Sequence, residues 1–202
     1  LDGSSTFLDN SAVYGGALYT FSSDITLSKG YYEFSGNSSS LDGGAIWSKN
    51  EITISSGSES TFTNNHADSN HAGGNGGALY ALSSGINLDG SSTFLDNSAH
   101  VGGALAANGG ITLNNKAYSE FSGNKADTSG GAIFAGNTLI IDSSLTYFRS
   151  NEALDGSNIY MRSFKAQTSF ITEDVSIVSH VYPLVLDNSR AMVITNSSEF
   201  NT

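Results

Sequence analysis

The sequence predicts an all-β fold, a right-handed parallel β-helix of about six coils, each of roughly 27 residues and three strands. Two paired motifs recur at a fixed period, and every period holds three apolar patterns of strand type. No window of helical spacing with capping residues competes with them. The first motif, Phe-x-x-Asn, stands at Phe7–Asn10, Phe34–Asn37, Phe62–Asn65, Phe94–Asn97, Phe121–Asn124 and Phe148–Asn151. The second, Gly-Gly-Ala-Ile/Leu, follows at Gly15–Leu18, Gly43–Ile46, Gly76–Leu79, Gly102–Leu105 and Gly130–Ile133, with a worn copy at Gly156-Ser157-Asn158-Ile159. Successive phenylalanines are 27, 28, 32, 27 and 27 residues apart. Repeats of this length bury their apolar faces only against their neighbours.

Within one period the first strand is the glycine motif with its continuation, such as Ala45-Ile46-Trp47 or Ala132-Ile133-Phe134. The second is an alternating pair: Ile25/Leu27, Ile52/Ile54, Ile86/Leu88, Ile111/Leu113 and Leu139/Ile141. The third centres on the phenylalanine, as in Ser60-Thr61-Phe62. Turn residues bound all three. Coils stacked at about 4.8 Å bring equivalent residues into columns. The Ile/Leu columns and the ladder of Phe7, Phe34, Phe62, Phe94, Phe121 and Phe148 then fill a narrow core. Asn10, Asn37, Asn65, Asn97, Asn124 and Asn151 form a second ladder at a corner. There Asn tolerates the left-handed conformation and its amide bonds backbone or the next Asn. The paired glycines allow a sharp corner or a close backbone approach.

Domain organisation follows the period. Residues 1–162 are the repeats, and residues 163–202 still alternate without the glycine motif. They read as irregular coils or a cap on the same domain, which shields an open strand edge. Residues 1–18 and 88–105 differ only at Val13/His100 and Tyr14/Val101, a sign of recent duplication. The third copy carries about five extra residues within Ala67–Asn75, expected to bulge as a loop.

Composition excludes several classes of partner. A net charge of −11, with 8 Lys and Arg against 19 Asp and Glu, argues against nucleic acid and against docking on anionic lipid. No apolar stretch approaches the ~20 residues of a membrane helix, so this segment is not expected to insert directly into a membrane. Without cysteine there is neither a disulfide nor a thiolate metal site. The chain opens at Leu1 inside a repeat, so a processed product or a piece of a longer chain is expected.

The paired Phe-x-x-Asn and Gly-Gly-Ala-Ile/Leu motifs, over roughly residues 1–160, resemble the polymorphic outer-membrane protein family best known from chlamydiae. The resemblance implies the β-helical passenger of an autotransporter, displayed at the cell surface or outer membrane and acting as an adhesin. The chain departs from the family pattern in lacking cysteine, a C-terminal membrane barrel and an export signal.

Four candidate sites stand out, each with a plainer reading beside it. Tyr19, Trp47, Tyr80, Phe134 and Tyr160 follow the inward Ile/Leu of the glycine strand, with Ala106 in the same column. Alternation sends this column outward, where it can stack on sugars or a protein; the plainer reading is that the rings pack on one another or under a loop. His66, Asp68 and His71 lie in the inserted loop, but zinc wants three or four convergent ligands, so solvated loop residues are the preferred account. Gly73-Gly74-Asn75-Gly76-Gly77 has the glycines of a calcium roll without its carboxylate. Thr26, Thr53, Asn87, Thr112 and Ile140 form an irregular threonine column, better explained by strand propensity than by ice binding.

No catalytic set is legible, since the acids fall in different columns and no motif places a histidine. The expectation is therefore a non-enzymatic surface protein without cofactor or metal. It acts in adhesion or binding to a host-surface protein or glycan, with self-association as a further expected partner. The alternatives are a structural spacer of an extracellular fibre or coat, and a carbohydrate-active β-helix enzyme.

Overall fold

The computed structural model describes residues 1–68, 73–114, 117–141, 145–166, 171–172, 177–179, 185–186 and 193–194. They form a parallel β-solenoid of three sheets. The first sheet holds the phenylalanine strands Ser5–Leu8, Gly30–Ser35, Ser58–Thr63, Ser91–Leu95, Tyr118–Ser122 and Leu145–Arg149, continued by Ile171–Thr172 and Val193–Ile194. The second is short: Ser11–Ala12, Ser38–Ser39, His66–Ala67, Ser98–Val101 and Lys125–Ser129. The third joins the glycine strands and the Ile/Leu pairs, because Ile133–Ile141 and Ile159–Ala166 run unbroken through both columns. The fold class expected from the repeats is thus the one observed. The division into strands differs in detail. Two expected strands share a sheet, and the residues just after each asparagine supply the third face.

Register is kept along the whole phenylalanine ladder. Phe7 pairs with Phe34, Phe34 with Phe62, Phe62 with Phe94, Phe94 with Phe121, and Phe121 with Phe148. Their rings stack at 4.6–5.1 Å with planes within 10° of parallel. From Phe34 to Phe148 they are essentially closed to solvent, as are Ile46, Ile52, Leu79, Ile86, Leu105 and Ile133 opposite them. Burying each such side chain is worth roughly 1.5–3 kcal/mol, and each stacked pair adds about 0.5–1.5 kcal/mol. The longer spacing before Phe94 leaves its strand in register, so the extra residues are absorbed outside the ladder, between Ala67 and Gly76.

The asparagine ladder is continuous from Asn10 to Asn151. Each Oδ1 from Asn37 onward accepts two bonds from the preceding asparagine, one from its backbone N–H and one from Nδ2, all at 2.9–3.1 Å. The other Nδ2 hydrogen reaches back to a phenylalanine carbonyl of the coil before, as from Asn97 to Phe62 O at 3.0 Å. A buried amide is thereby satisfied on both ends. The last rung is different: Asn151 Nδ2 donates to Asn158 Oδ1 at 2.9 Å. Asn158 stands where intact copies of the glycine motif have alanine, so the worn copy closes the ladder.

The left-handed residue of this corner is not the asparagine, as expected, but the residue before it. Asp9, Gly36, Asn64, Asp96, Gly123 and Ser150 have φ between 50° and 66°. The choice of Asp, Gly, Asn and Ser at that position follows, since short polar side chains and glycine adopt this region at least cost. The two glycines of the second motif do separate jobs. Gly76 has φ of 66°, whereas a Cβ on Gly77 would lie 2.1 Å from the Gly103 carbonyl oxygen of the next coil. The first turns the chain, and the second lets coils approach.

Asn97→Ala should cost about 3 kcal/mol or more in urea unfolding, because it strands the Asn65 donors and the Phe62 carbonyl in the interior. Asn10→Ala, at the exposed end, should cost less than about 1 kcal/mol. Gly77→Ala should lower the unfolding midpoint far more than Gly57→Ala, which meets nothing within 4 Å and carries only the cost of a left-handed alanine, about 1–2 kcal/mol.

Candidate functional site

The outward aromatic column is in register from end to end. Tyr19 pairs with Trp47, Trp47 with Tyr80, Tyr80 with Ala106, Ala106 with Phe134, and Phe134 with Tyr160. Its side chains leave the main core and make a second apolar cluster of Trp47, Tyr80 and Ala106, against which Tyr14, Leu82 and Phe134 pack. Period-two alternation explains the direction, because Ile46 and Leu79 point in. It does not set exposure. Trp47 and Tyr80 are only 4% and 5% exposed, while Tyr19 is 52% exposed.

What closes Trp47 is a set of rings from the first coil. Tyr19 stacks on it at 4.9 Å and 18°, Phe21 lies parallel at 6.5 Å, and Tyr14 tilts against it at 5.4 Å. The Lys49 ammonium sits 4.2 Å from the centre of the Phe21 ring. Phe21 is itself 58% exposed. The indole N–H of Trp47 is buried and has no hydrogen-bond partner among the described residues. Ala106 then interrupts the rings, and beyond it Phe134 and Tyr160 stack at 5.2 Å and 4°. The accessible ring surface is therefore a shelf of Tyr19 and Phe21 backed by Trp47.

Phe21, Tyr14 and Lys49 were not read from the sequence as part of this surface. Phe21 follows Tyr19 by two residues and shares its face by the same alternation, so that signal was present. Tyr14 comes from the corner before the glycine motif, and nothing in the repeat spacing marks it.

The loop group is dispersed. His66 is exposed on the short second sheet, with Nδ1 2.9 Å from Ser98 Oγ. Asp68 is tied by its backbone N–H to Ser39 O, and His71 lies outside the described residues. Among the described residues, no group of three or more His, Asp or Glu side chains is placed to hold a metal. In the threonine column, Thr53 Oγ1 donates to Glu51 Oε1 at 3.1 Å, and an asparagine and an isoleucine interrupt the array. At the glycine-rich loop, Asn75 donates through its backbone N–H and Nδ2 to Asp42 Oδ1 at 3.0 and 2.7 Å. That carboxylate oxygen is occupied by the fold.

Comparison with known proteins agrees with this architecture. The family model of the Chlamydia polymorphic membrane protein repeat matches residues 4–20, 32–49, 59–82 and 118–136. A probable outer membrane protein PmpC of Chlamydia muridarum is 30% identical over 200 residues, which cover 83% of this chain and 13% of that protein. A probable outer membrane protein pmp6 of Chlamydia pneumoniae is 36% identical over 96 residues, covering 46% of this chain and 7% of that protein. The chain thus spans a small part of the length of these relatives. No solved structure matches it. With its stacked Phe-x-x-Asn and Gly-Gly-Ala-Ile/Leu coils, the chain belongs to the polymorphic outer membrane protein repeat family, a family of the bacterial outer surface.

Proposed function

We propose that this solenoid is a non-enzymatic binding segment, acting in adhesion to a host-surface protein or glycan through the Tyr19–Phe21 shelf. The observation that carries this reading is two large rings, each more than half exposed, held parallel to a buried tryptophan. Rings fixed by stacking lose little conformational freedom when a partner covers them, and they bury much apolar area per residue. The same coil scaffold exists without them. In the duplicated block, Val101, Ala106 and Asn108 replace Tyr14, Tyr19 and Phe21, and Ala106 is fully buried in a well-formed coil. The rings are dispensable to the coil, which favours a role outside it.

A binding role also suits the distribution of acids. Asp42 and Glu120 are engaged by neighbouring side chains. Asp24 accepts from the Glu51 backbone. A glycosidase needs two carboxylates facing one another across a substrate at about 5–9.5 Å. The relatives are named as probable outer membrane proteins, which supports surface exposure for the parent protein.

Tyr19→Ala with Phe21→Ala should lower binding to host cells at least about tenfold, at a cost of about 1–3 kcal/mol in stability from the two lost ring contacts with Trp47, with the coil still folded by circular dichroism. Wild-type binding by that double variant would remove the shelf from the reading. Trp47→Ala is the contrasting change and should cost about 3–5 kcal/mol of stability, since it empties a closed site.

Burial, with a further push from Asp42, raises the Tyr80 hydroxyl from its ordinary 10.0 to about 12, partly opposed by its bond with Asn108. The folded pKa lies above the unfolded one, so this contribution is intact below pH 10 and is lost as pH rises towards about 12. Urea midpoints measured from pH 8 to 12 should fall above pH 10, and Tyr80→Phe should flatten that fall.

A further inference from the structure

A different face carries a second cluster. On the outer face of the phenylalanine sheet, the middle coils present mainly small side chains, with Thr61 and Thr93 in one column and Ser35, Thr63, Leu95 and Ser122 in the next. The pattern changes where Tyr118–Ser122 meets Leu145–Arg149. There Glu120 pairs with Tyr147 and Ser122 with Arg149. The Tyr118 hydroxyl donates to Glu120 Oε2 at 2.6 Å. The other carboxylate oxygen, Oε1, faces Arg149 Nη1 at 3.8 Å, too far for a direct hydrogen bond. The guanidinium lies 5.4 Å over the Tyr147 ring, and the Tyr118 and Tyr147 rings meet at 5.6 Å and 45°.

The duplication supplies an internal control. Tyr31 and Glu33 occupy the places of Tyr118 and Glu120 in the second coil. Beside them stand Thr61 and Thr63, where the later coil has Tyr147 and Arg149. The added pair therefore converts one copy of an existing arrangement into a donor, an acceptor and two ring faces around a gap. Arg149 is 44% exposed and Glu120 21% exposed along their side chains, so the gap opens to solvent.

We propose that Tyr118, Glu120, Tyr147 and Arg149 form a binding site for a neutral glycan. Two adjacent sugar hydroxyls bridge the gap, one donating to Glu120 Oε1 and the other accepting from the Arg149 guanidinium. The C–H face of the sugar rests on the Tyr118 ring. Each hydroxyl is both donor and acceptor, so a vicinal pair satisfies both groups at once. A sulfated or carboxylated sugar meets Glu120 and a chain of net charge −11. The hydrogen bond to Glu120 keeps the Tyr118 proton in place, with its hydroxyl pushed up to about 12. The carboxylate is thereby held in one orientation over the whole working range. The site deepens the partner-binding reading by naming a ligand class, and it lies on a separate face from the Tyr19–Phe21 shelf.

Saturation-transfer NMR on the full 202-residue chain tests it, using neutral methyl hexosides and a neutral tetrasaccharide beside sulfated and sialylated counterparts. Neutral ligands should bind with Kd of about a millimolar, the range of one small solvent-exposed site. Arg149→Gln should weaken this at least about tenfold, and so should Arg149→Lys, which keeps the charge and loses the planar fork. Glu33→Gln in the sister copy, and Tyr19→Ala with Phe21→Ala, should leave it unchanged. Circular dichroism of each variant separates loss of the site from loss of the fold.

The proposal is overturned if no neutral glycan shows transfer, if folded Arg149 variants bind as wild type, or if anionic glycans bind as tightly as neutral ones. Binding of a protein partner in place of any glycan, lost on Arg149→Gln, overturns it as well. Loss of cell binding in the Tyr19/Phe21 variant alone bears on the shelf and leaves this outcome independent.

Discussion

One side chain per coil ties the solenoid together. Each asparagine from Asn37 to Asn124 takes two hydrogen bonds from the coil before it, gives two to the coil after it and returns one to the coil before. A polar group so placed in the interior is costly when any partner is missing. A shift of one coil by a single residue would turn the amide and the neighbouring phenylalanine to the other face together. The ladder and the ring stack therefore enforce the same alignment, one by directional bonds and the other by area.

From this alignment follows a division between inside and outside. Inward columns repeat because each residue meets its own kind above and below. Outward columns are released from that demand. Tyr14, Tyr19 and Phe21 give way to Val101, Ala106 and Asn108 on an otherwise nearly identical block, with the coil intact. Tyr147 and Arg149 appear beside Tyr118 and Glu120 where the earlier copy has threonines. Surface chemistry changes coil by coil while the core stays constant, which suits a family of the outer surface.

The parts legible in the sequence were those the core dictates. The phenylalanine, asparagine and Ile/Leu columns recur because burial and pairing leave few substitutes. The short second sheet was not read as a strand: Ser38–Ser39 has no apolar residue, and its pairing is backbone alone. The left-handed corner was assigned one residue late, because Asn64 and Asn65 are the same residue type and only the latter bonds the ladder. Asn158 looked like decay of a motif, and only its contact with Asn151 shows it as a closing group. Exposure on the outer face was illegible for a different reason. Whether Trp47 is open or shut depends on rings that reach it from another coil.

The asparagine ladder also has a sense of direction. From Asn37 to Asn151 each side-chain carbonyl points back along the axis toward the first coil, and from Asn10 to Asn124 each Nδ2 sends one hydrogen forward to meet it. Five such amide-to-amide bonds in a row, in a sheltered corner, polarise one another and add. A rod built this way is electrically polar along its length, although parallel strands alone would leave little net moment. Its two ends present different partial charges to whatever meets them, even where the residues around them are the same.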